Sequence, residues 1–261
     1  VADSLGLGEK LQSPATSFSA DAAKFLTAEW RYLVMLNYEI PLAVLEPLVP
    51  KHTVLDLFEG RALASMVGFR FLNTRVLGVP VPFHRDFDEV NLRFYVKRPM
   101  PDGSTRRGVV FVRELVPRAA IAYTARLLYN EPYAAVPMHS RVPPTLLSSP
   151  GRLMYGWFSN AQHQQVSATA VGTPQPLVPG SEPEFIAEHY WGYTPQRDGS
   201  TVEYQVAHPS WRVWPASDPS FDADVCGLYG AAFEAPLSVP PRSMFVAEGS
   251  PVTVYRPTRL P

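Results

Sequence analysis

Over residues 89–97 the chain alternates strictly. Val90, Leu92, Phe94 and Val96 share one face, while Glu89, Asn91, Arg93, Tyr95 and Lys97 share the other. Successive side chains of an extended strand point to opposite faces, so this period of two predicts a β-strand. The segment PDGSTRR that follows carries Asp102-Gly103, a hairpin signal between two strand-like runs. Its second arm, Gly108 to Val116, is apolar on both faces with a single charge on each, Arg113 and Glu114. A strand covered on both sides holds such charges only where they are paired or hydrogen-bonded. Pro117 suits the first turn of a helix. The residues after it (Ala119, Ala120, Ile121, Ala122, Ala125, Leu127, Leu128) are apolar almost all round, with Arg126 the exception, which predicts a buried helix. The stretch from His84 to Val136 therefore holds something polar inside.

The same patterns extend along the chain. Residues 1–24 are small and polar and predict a loosely attached arm. Phe25–Tyr38 is rich in aromatic and branched residues and predicts a strand. Pro41 starts a short helix closed by Pro47 and Pro50. Val54–Phe58 and Ala62–Leu72 are predicted strands joined at Glu59-Gly60. An irregular stretch then runs from Pro137 to Gly151, before a hairpin of Arg152–Phe158 with Gln162–Val171. Ser181 with Glu184 three residues on is a capping box for a short helix. Asp198-Gly199 leads into a strand, TVEYQVAHP. Phe221–Phe233 predicts a short helix, and Met244–Val246 and Val252–Tyr255 the last strands. About ten strands with three or four short helices predict an α+β fold, mostly β, in which residues 25–261 form one large antiparallel barrel or sandwich.

Composition narrows the classes. The net charge of −1 excludes non-specific nucleic-acid binding as a main role. The single cysteine, Cys226, excludes an internal disulfide framework and fits a reducing compartment. No apolar run reaches the roughly 18 residues of a membrane span, and the first twenty residues lack the pattern of a signal peptide. A cytoplasmic protein without membrane or nucleic-acid partners is expected. The lysines are Lys10, Lys24, Lys51 and Lys97, so amine chemistry has four side-chain sources.

Few motifs carry chemistry. There is no Gly-rich phosphate loop and no G-x-S-x-G elbow. The six histidines are scattered without H-x-H or H-x-x-x-H spacing, so neither a metal nor a cofactor is expected. Cys226 lies in an apolar, acidic setting that raises a thiol pKa. What remains is a set of arginines and carboxylates on elements read as buried: Arg31, Glu89, Arg93, Arg113, Glu114 and Arg126. They could form an internal ion-pair network, with the polar face of 89–97 turned to water. Alternatively some face a barrel interior, where a guanidinium fork binds a ligand carboxylate and Glu89 moves a proton. The aromatic cluster at 189–193 is open in the same way, between core packing and a stacking wall.

Several long segments, among them FLTAEWRYLVMLNYEIP, SMVGFRFLNTRVLGVPVPFHRDFDEVNLRFYV, RGVVFVRELVPRAAIAYTARLLYNEPY and FVAEGSPVTVY, resemble the YqjF-like bacterial proteins of unknown function, almost end to end. A more distant resemblance, over roughly residues 25 to 140, is to acetoacetate decarboxylase. It implies a cone-shaped antiparallel β barrel with an internal pocket. On that resemblance Arg31 matches the enzyme's pocket arginine, Glu89 its pocket glutamate, and Arg126 the arginine of its G-R-E-x-W-G-[FY]-P-K-K segment. The two lysines of that segment fall on Tyr133 and Ala134. The decarboxylase needs an amine of lowered pKa to form its Schiff base. Tyrosine and alanine form no imine, so decarboxylation of acetoacetate is not expected. A pocket for a small carboxylate or carbonyl compound is expected instead. Arg31, Arg126 and Tyr133 are placed there by the resemblance, and Arg93, Arg113 and Glu114 by the pattern of charges on buried elements. Two alternatives stay open: a non-covalent acid–base enzyme acting through Glu89 on a small keto or hydroxy acid, and a filled barrel serving as an interaction module. Barrel relatives assemble into homo-oligomers, but no segment here identifies an interface.

Overall fold

In the computed structural model the described residues are 23–80, 84–117, 130–144 and 151–260. The expected helix after Pro117, with Arg126, and nearly all of the expected N-terminal arm lie outside them. Lys24, placed in that arm, already belongs to the first strand.

The described residues form sixteen strands. In the first half these are β1 (Lys24–Glu39), β2 (Val54–Leu55), β3 (Leu63–Val76), β4 (Val79–Pro80), β5 (Phe87–Pro99), β6 (Thr105–Val116), β7 (Tyr133–Ala135) and β8 (Met138–Arg141). The second half adds β9 (Gly151–Ser159), β10 (Gln162–Ala170), β11 (Gln175–Pro176), β12 (Trp191–Pro195), β13 (Thr201–Ala207), β14 (Arg212–Asp222), β15 (Ser243–Tyr255) and β16 (Thr258–Leu260). Four short helices join them: α1 (Leu42–Leu45), α2 (Glu182–Ala187), α3 (Val225–Tyr229) and α4 (Glu234–Leu237). The fold is mostly β, as expected.

Seven strands close a ring in the order β13-β12-β6-β5-β3-β1-β15, with β15 returning to β13 through Val206↔Val254 and Ala207↔Thr253. Closure removes the free edges that an open sheet exposes. The ring is not antiparallel throughout: β12 runs parallel to β6 at Trp191↔Gly108 and Gly192↔Val109, and the short β7 is parallel to β6. On the far side of β15, strands β14, β10, β9 and β8 continue as a second layer folded against the ring.

This arrangement assigns the two faces of β5. Val90, Leu92, Phe94 and Val96 pack with Leu153, Tyr155, Trp157 and Val166 of the second layer, in a core where each of these eight is fully buried. The opposite face, with Glu89, Asn91, Arg93 and Tyr95, turns into the ring and is also buried. The polar side of this strand therefore does not face water.

Several boundaries differ from expectation. The stretch expected to be irregular after Pro137 contains β8, which pairs with β9 at Met138↔Trp157. The strand expected over Val54–Phe58 is only two residues long, because Phe58 turns back to bridge Arg61. The helix expected over Phe221–Phe233 begins late, since β14 runs on to Asp222 before Asp224 caps α3 by accepting from the Gly227 amide. The two expected last strands are one continuous strand, β15. Gly249 carries the intervening turn signal as a kink at φ 78°, where a Cβ would collide with the Trp30 carbonyl.

Candidate ligand-binding site

The ring encloses a cavity of about 280 Å³ whose lining comes from all seven ring strands and from β7. Its walls are largely aromatic and aliphatic, with Trp30, Leu33, Phe69, Phe71, Phe111 and Trp191 among them. One end is polar. There β5 contributes Glu89, Asn91 and Arg93, β6 contributes Glu114, the turn before β7 contributes Glu131, β7 contributes Tyr133 and β13 contributes Tyr204.

Local irregularities decide which side chains reach this end. β5 needs none, because its period of two delivers Glu89, Asn91 and Arg93 to one face. In β6 the register against β5 shifts between Leu92 and Arg93, so Leu92 pairs Arg113 while Arg93 pairs Phe111. That bulge lets both Phe111 and Glu114 face inward. Before β7, Asn130 adopts φ 57° and turns the chain so that Glu131 enters the ring with Tyr133.

The three glutamates form one hydrogen-bonded group. Asn91 Nδ2 donates to Glu89 Oε1 at 2.9 Å, and the Tyr133 hydroxyl donates to Glu89 Oε2 at 3.3 Å. Tyr133 also bonds Glu114, which bonds Glu131 in turn. Glu131 accepts from the hydroxyls of Tyr204 and, at 3.4 Å, Thr194. Burial pushes the Glu89 carboxyl up to about 8, against the hydrogen bond from Asn91 and with the help of the neighbouring Glu131. Burial likewise lifts Glu131 to about 7, although the Tyr204 and Thr194 hydroxyls pull the other way. Glu114 rises well above its ordinary value through burial and its two glutamate neighbours. At neutral pH this end of the cavity holds protons that isolated carboxylates would have released.

Arg93 stands beside them, only 8 % exposed. Its Nε has no hydrogen-bond partner, and among the described residues the guanidinium forms no ion pair. Leaving a buried charged donor unmatched is costly. Further unsatisfied atoms on the cavity wall are Trp30 Nε1, Thr74 Oγ1, Asn91 Oδ1, Glu114 Oε2 and His189 Nδ1.

His189 is held from behind. Its Nε2 lies 3.3 Å from Asp56 Oδ2, which also accepts from Arg107 Nε at 2.6 Å. Burial lowers the imidazole to about 4, so it is neutral at pH 7. Burial alone would raise the Asp56 carboxyl, but hydrogen bonds from His189 and Arg107 hold it well below its ordinary range. An ionised Asp56 fixes the proton on Nε2 and leaves Nδ1 as an acceptor at the cavity wall.

Of the residues expected at the site, Glu89, Arg93, Glu114 and Tyr133 are brought together here. Arg31 is not. It points away from the cavity and pairs with Glu29 at 2.7 Å, while its Nη1 donates to the Gly249 carbonyl at 3.2 Å. The cause is a bulge in β1, where Tyr32 takes φ 60° and the pairing with β3 slips between Arg31 and Val34. Trp30 and Leu33 then line the cavity in its place. Arg113 also lies outside, donating from Nε to the Leu228 carbonyl of α3 at 3.1 Å. Arg126 is outside the described residues. Glu131, Asn91, Tyr204 and His189 were not singled out as site residues from sequence. Glu131 had a signal, because it lies two residues before Tyr133 and shares its face.

No lysine lines the cavity among the described residues. Lys24 and Lys51 are exposed, and the Lys97 ammonium sits 3.5 Å from Asp56 with its side chain 41 % exposed. Nor does any group of three or more His, Cys, Asp or Glu among the described residues have the geometry of a metal site. Among the described residues no helix is long and apolar enough to cross a membrane.

Comparison with solved structures places the fold. The enduracididine biosynthesis enzyme MppR, solved in complex with pyruvate, superposes with a TM-score of 0.62 at 13 % identity, covering 100 % of this chain and 99 % of that one. Acetoacetate decarboxylase from Legionella pneumophila gives 0.61 at 14 % identity, covering 100 % and 98 %. An acetoacetate decarboxylase-like enzyme from Sphingomonas wittichii RW1 gives 0.62 at 12 % identity, covering 97 % and 98 %. The fold is thus that of the acetoacetate decarboxylase-like enzymes. In sequence, the uncharacterized protein YqjF of Bacillus subtilis is 28 % identical over 121 residues, 46 % of this chain and 48 % of that protein, so the match spans about half of each. The family model DUF2071, described as an uncharacterized conserved protein, matches residues 27–251.

Proposed function

The chain belongs to the DUF2071 family, and on that premise we propose that its cavity binds a small carboxylate or carbonyl compound without covalent chemistry. The observation that carries this reading is Arg93, a buried guanidinium at the polar end of the cavity that forms no ion pair with a carboxylate of the described residues. A ligand carboxylate satisfies its fork directly, and protonated glutamates beside it donate to a ligand oxygen. The aromatic walls take the rest of the molecule. A protein of the same fold solved with pyruvate adds support for a ligand of this class. Among the described residues, imine formation has no lysine amine at the cavity wall to start from.

A second reading has its own observation. Glu89 holds a proton near neutrality, within hydrogen-bond reach of Tyr133 and coupled through it to Glu114. A carboxyl whose pKa lies near the working pH is suited to general acid–base catalysis on a keto or hydroxy acid.

A thermal-shift screen separates these readings from an interaction module. Pyruvate, acetoacetate, phenylpyruvate and 3-phenylpropionate are tested on the wild type and on Arg93→Met. At least one acid is expected to raise the melting temperature of the wild type and not of the variant. Equal shifts in both proteins, or none in either, contradict carboxylate binding at Arg93. Turnover of a stabilising keto acid that Glu89→Gln abolishes, with the thermal shift retained, favours the second reading.

A further inference from the structure

We propose that the carboxylate taken by this cavity belongs to a zwitterion, an amino acid with an apolar side chain whose ammonium group sits among Glu89, Glu114 and Glu131. This rests on the carboxylate reading above and adds a second charge to it.

The case is one of charge and donor balance. Three carboxyls and one guanidinium face the polar end of the same cavity, and all four side chains are at least nine-tenths buried. Ionised carboxylates would outnumber the cation three to one, and no lysine of the described residues reaches them. A ligand that brings only a carboxylate keeps those carboxyls protonated. A ligand that brings an ammonium as well lets them ionise, as an opposite charge at close range favours ionised carboxylates.

Unsatisfied atoms point the same way. Glu114 Oε2 and Asn91 Oδ1 are buried acceptors without partners, and His189 Nδ1 is a third once Asp56 has fixed the proton on Nε2. An ammonium offers three donors and no acceptor, which matches a surplus of acceptors. Arg93 Nε, a donor without a partner, takes the carboxylate. Trp30, Phe69, Phe71, Phe111 and Trp191 offer ring faces and edges for an apolar side chain. At about 30 Å³ per water, a cavity of about 280 Å³ has room for a ligand of on the order of ten non-hydrogen atoms, the size of an aromatic amino acid.

The test compares three probes that share a ring and differ in charge: L-phenylalanine, 3-phenylpropionate and 2-phenylethylamine. Isothermal titration at pH 7.5, in two buffers of different ionisation enthalpy, reads affinity and proton exchange together. Phenylalanine is expected to bind at least tenfold more tightly than either of the others and to release protons to the buffer, because carboxyls protonated in the free cavity ionise against the ammonium. Glu114→Gln, which keeps the shape of the side chain, should remove that advantage and reduce the proton release, with an unaltered fold by circular dichroism. If 3-phenylpropionate binds as well as phenylalanine, or if phenylalanine binds without proton release, the zwitterion is wrong while carboxylate binding stands. If no probe binds, or only the amine does, both fall.

Discussion

The Tyr133 hydroxyl donates to Glu89 Oε2 at 3.3 Å, linking two residues 44 positions apart across the interior of the ring. Tyr133 also lies against Glu114, so a single phenol proton serves two buried carboxyls. Replacing it by phenylalanine removes that donor and leaves the ring in place. We expect Tyr133→Phe to lower stability by about 1 to 2 kcal/mol, the cost of lost hydrogen bonds at buried acceptors. Equilibrium denaturation in urea measures this, and an unchanged midpoint would show that the bridge contributes nothing.

The glutamate cluster imposes a pH dependence whose sign follows from linkage. Glu89 titrates at an ordinary value of 4.5 when unfolded and at about 8 when folded. Glu131 goes from 4.5 to about 7. Between those limits the folded state keeps protons that the unfolded chain has lost, so stability falls as pH rises. The slope is at most about 1.4 kcal/mol per pH unit for each carboxyl. Asp56, held below its ordinary 3.8, works in the opposite direction under acid conditions, and His189, lowered from 6.5 to about 4, does so up to about pH 6.5. The melting temperature should therefore decline most clearly between pH 6.5 and pH 8, and Glu89→Gln should make the decline shallower. A melting temperature that climbs over this interval would mean that the cluster is ionised in the folded protein.

Gly192 supports the site from behind. A Cβ at this position would fall within the Tyr204 ring, whose hydroxyl donates to Glu131. Gly192→Ala has to displace either β12 or that ring, which costs roughly 1–3 kcal/mol by the usual penalty for overpacking. We expect a lower denaturation midpoint together with weaker binding of whichever probe stabilises the wild type. A variant as stable as wild type with full binding would place the ring elsewhere.

No imine should form. Incubation with acetoacetate or pyruvate followed by borohydride should leave the protein mass unchanged, and acetoacetate should release no carbon dioxide above the uncatalysed rate. A reduced adduct in the mass spectrum would reveal a reactive amine in the cavity.

Much of this architecture was legible in the chain. The period of two over 89–97 announces β5, and the single charges Arg113 and Glu114 on an otherwise apolar strand announce a polar interior. Alternation cannot say which face of a doubly covered strand points to a cavity, because both faces are buried: one under Trp157 and Tyr155, the other inside the ring. Bulges also escape a periodic reading. One residue out of step at Arg31–Leu33 exchanges an expected pocket arginine for two apolar wall residues, and the slip opposite Leu92 and Arg93 brings Glu114 inward. Tyr204 and His189 reach the site through long-range pairing that no local pattern encodes, while Glu131 enters through a left-handed turn at Asn130 and shares the face of Tyr133.

The proposed anchor for a ligand carboxylate is the buried guanidinium of Arg93. Titration of phenylpyruvate into wild type and Arg93→Met at pH 7 tests this most directly. We expect saturable binding to the wild type and at least a tenfold weaker affinity in the variant, with both proteins equally well folded. Equal affinity in the two would contradict it.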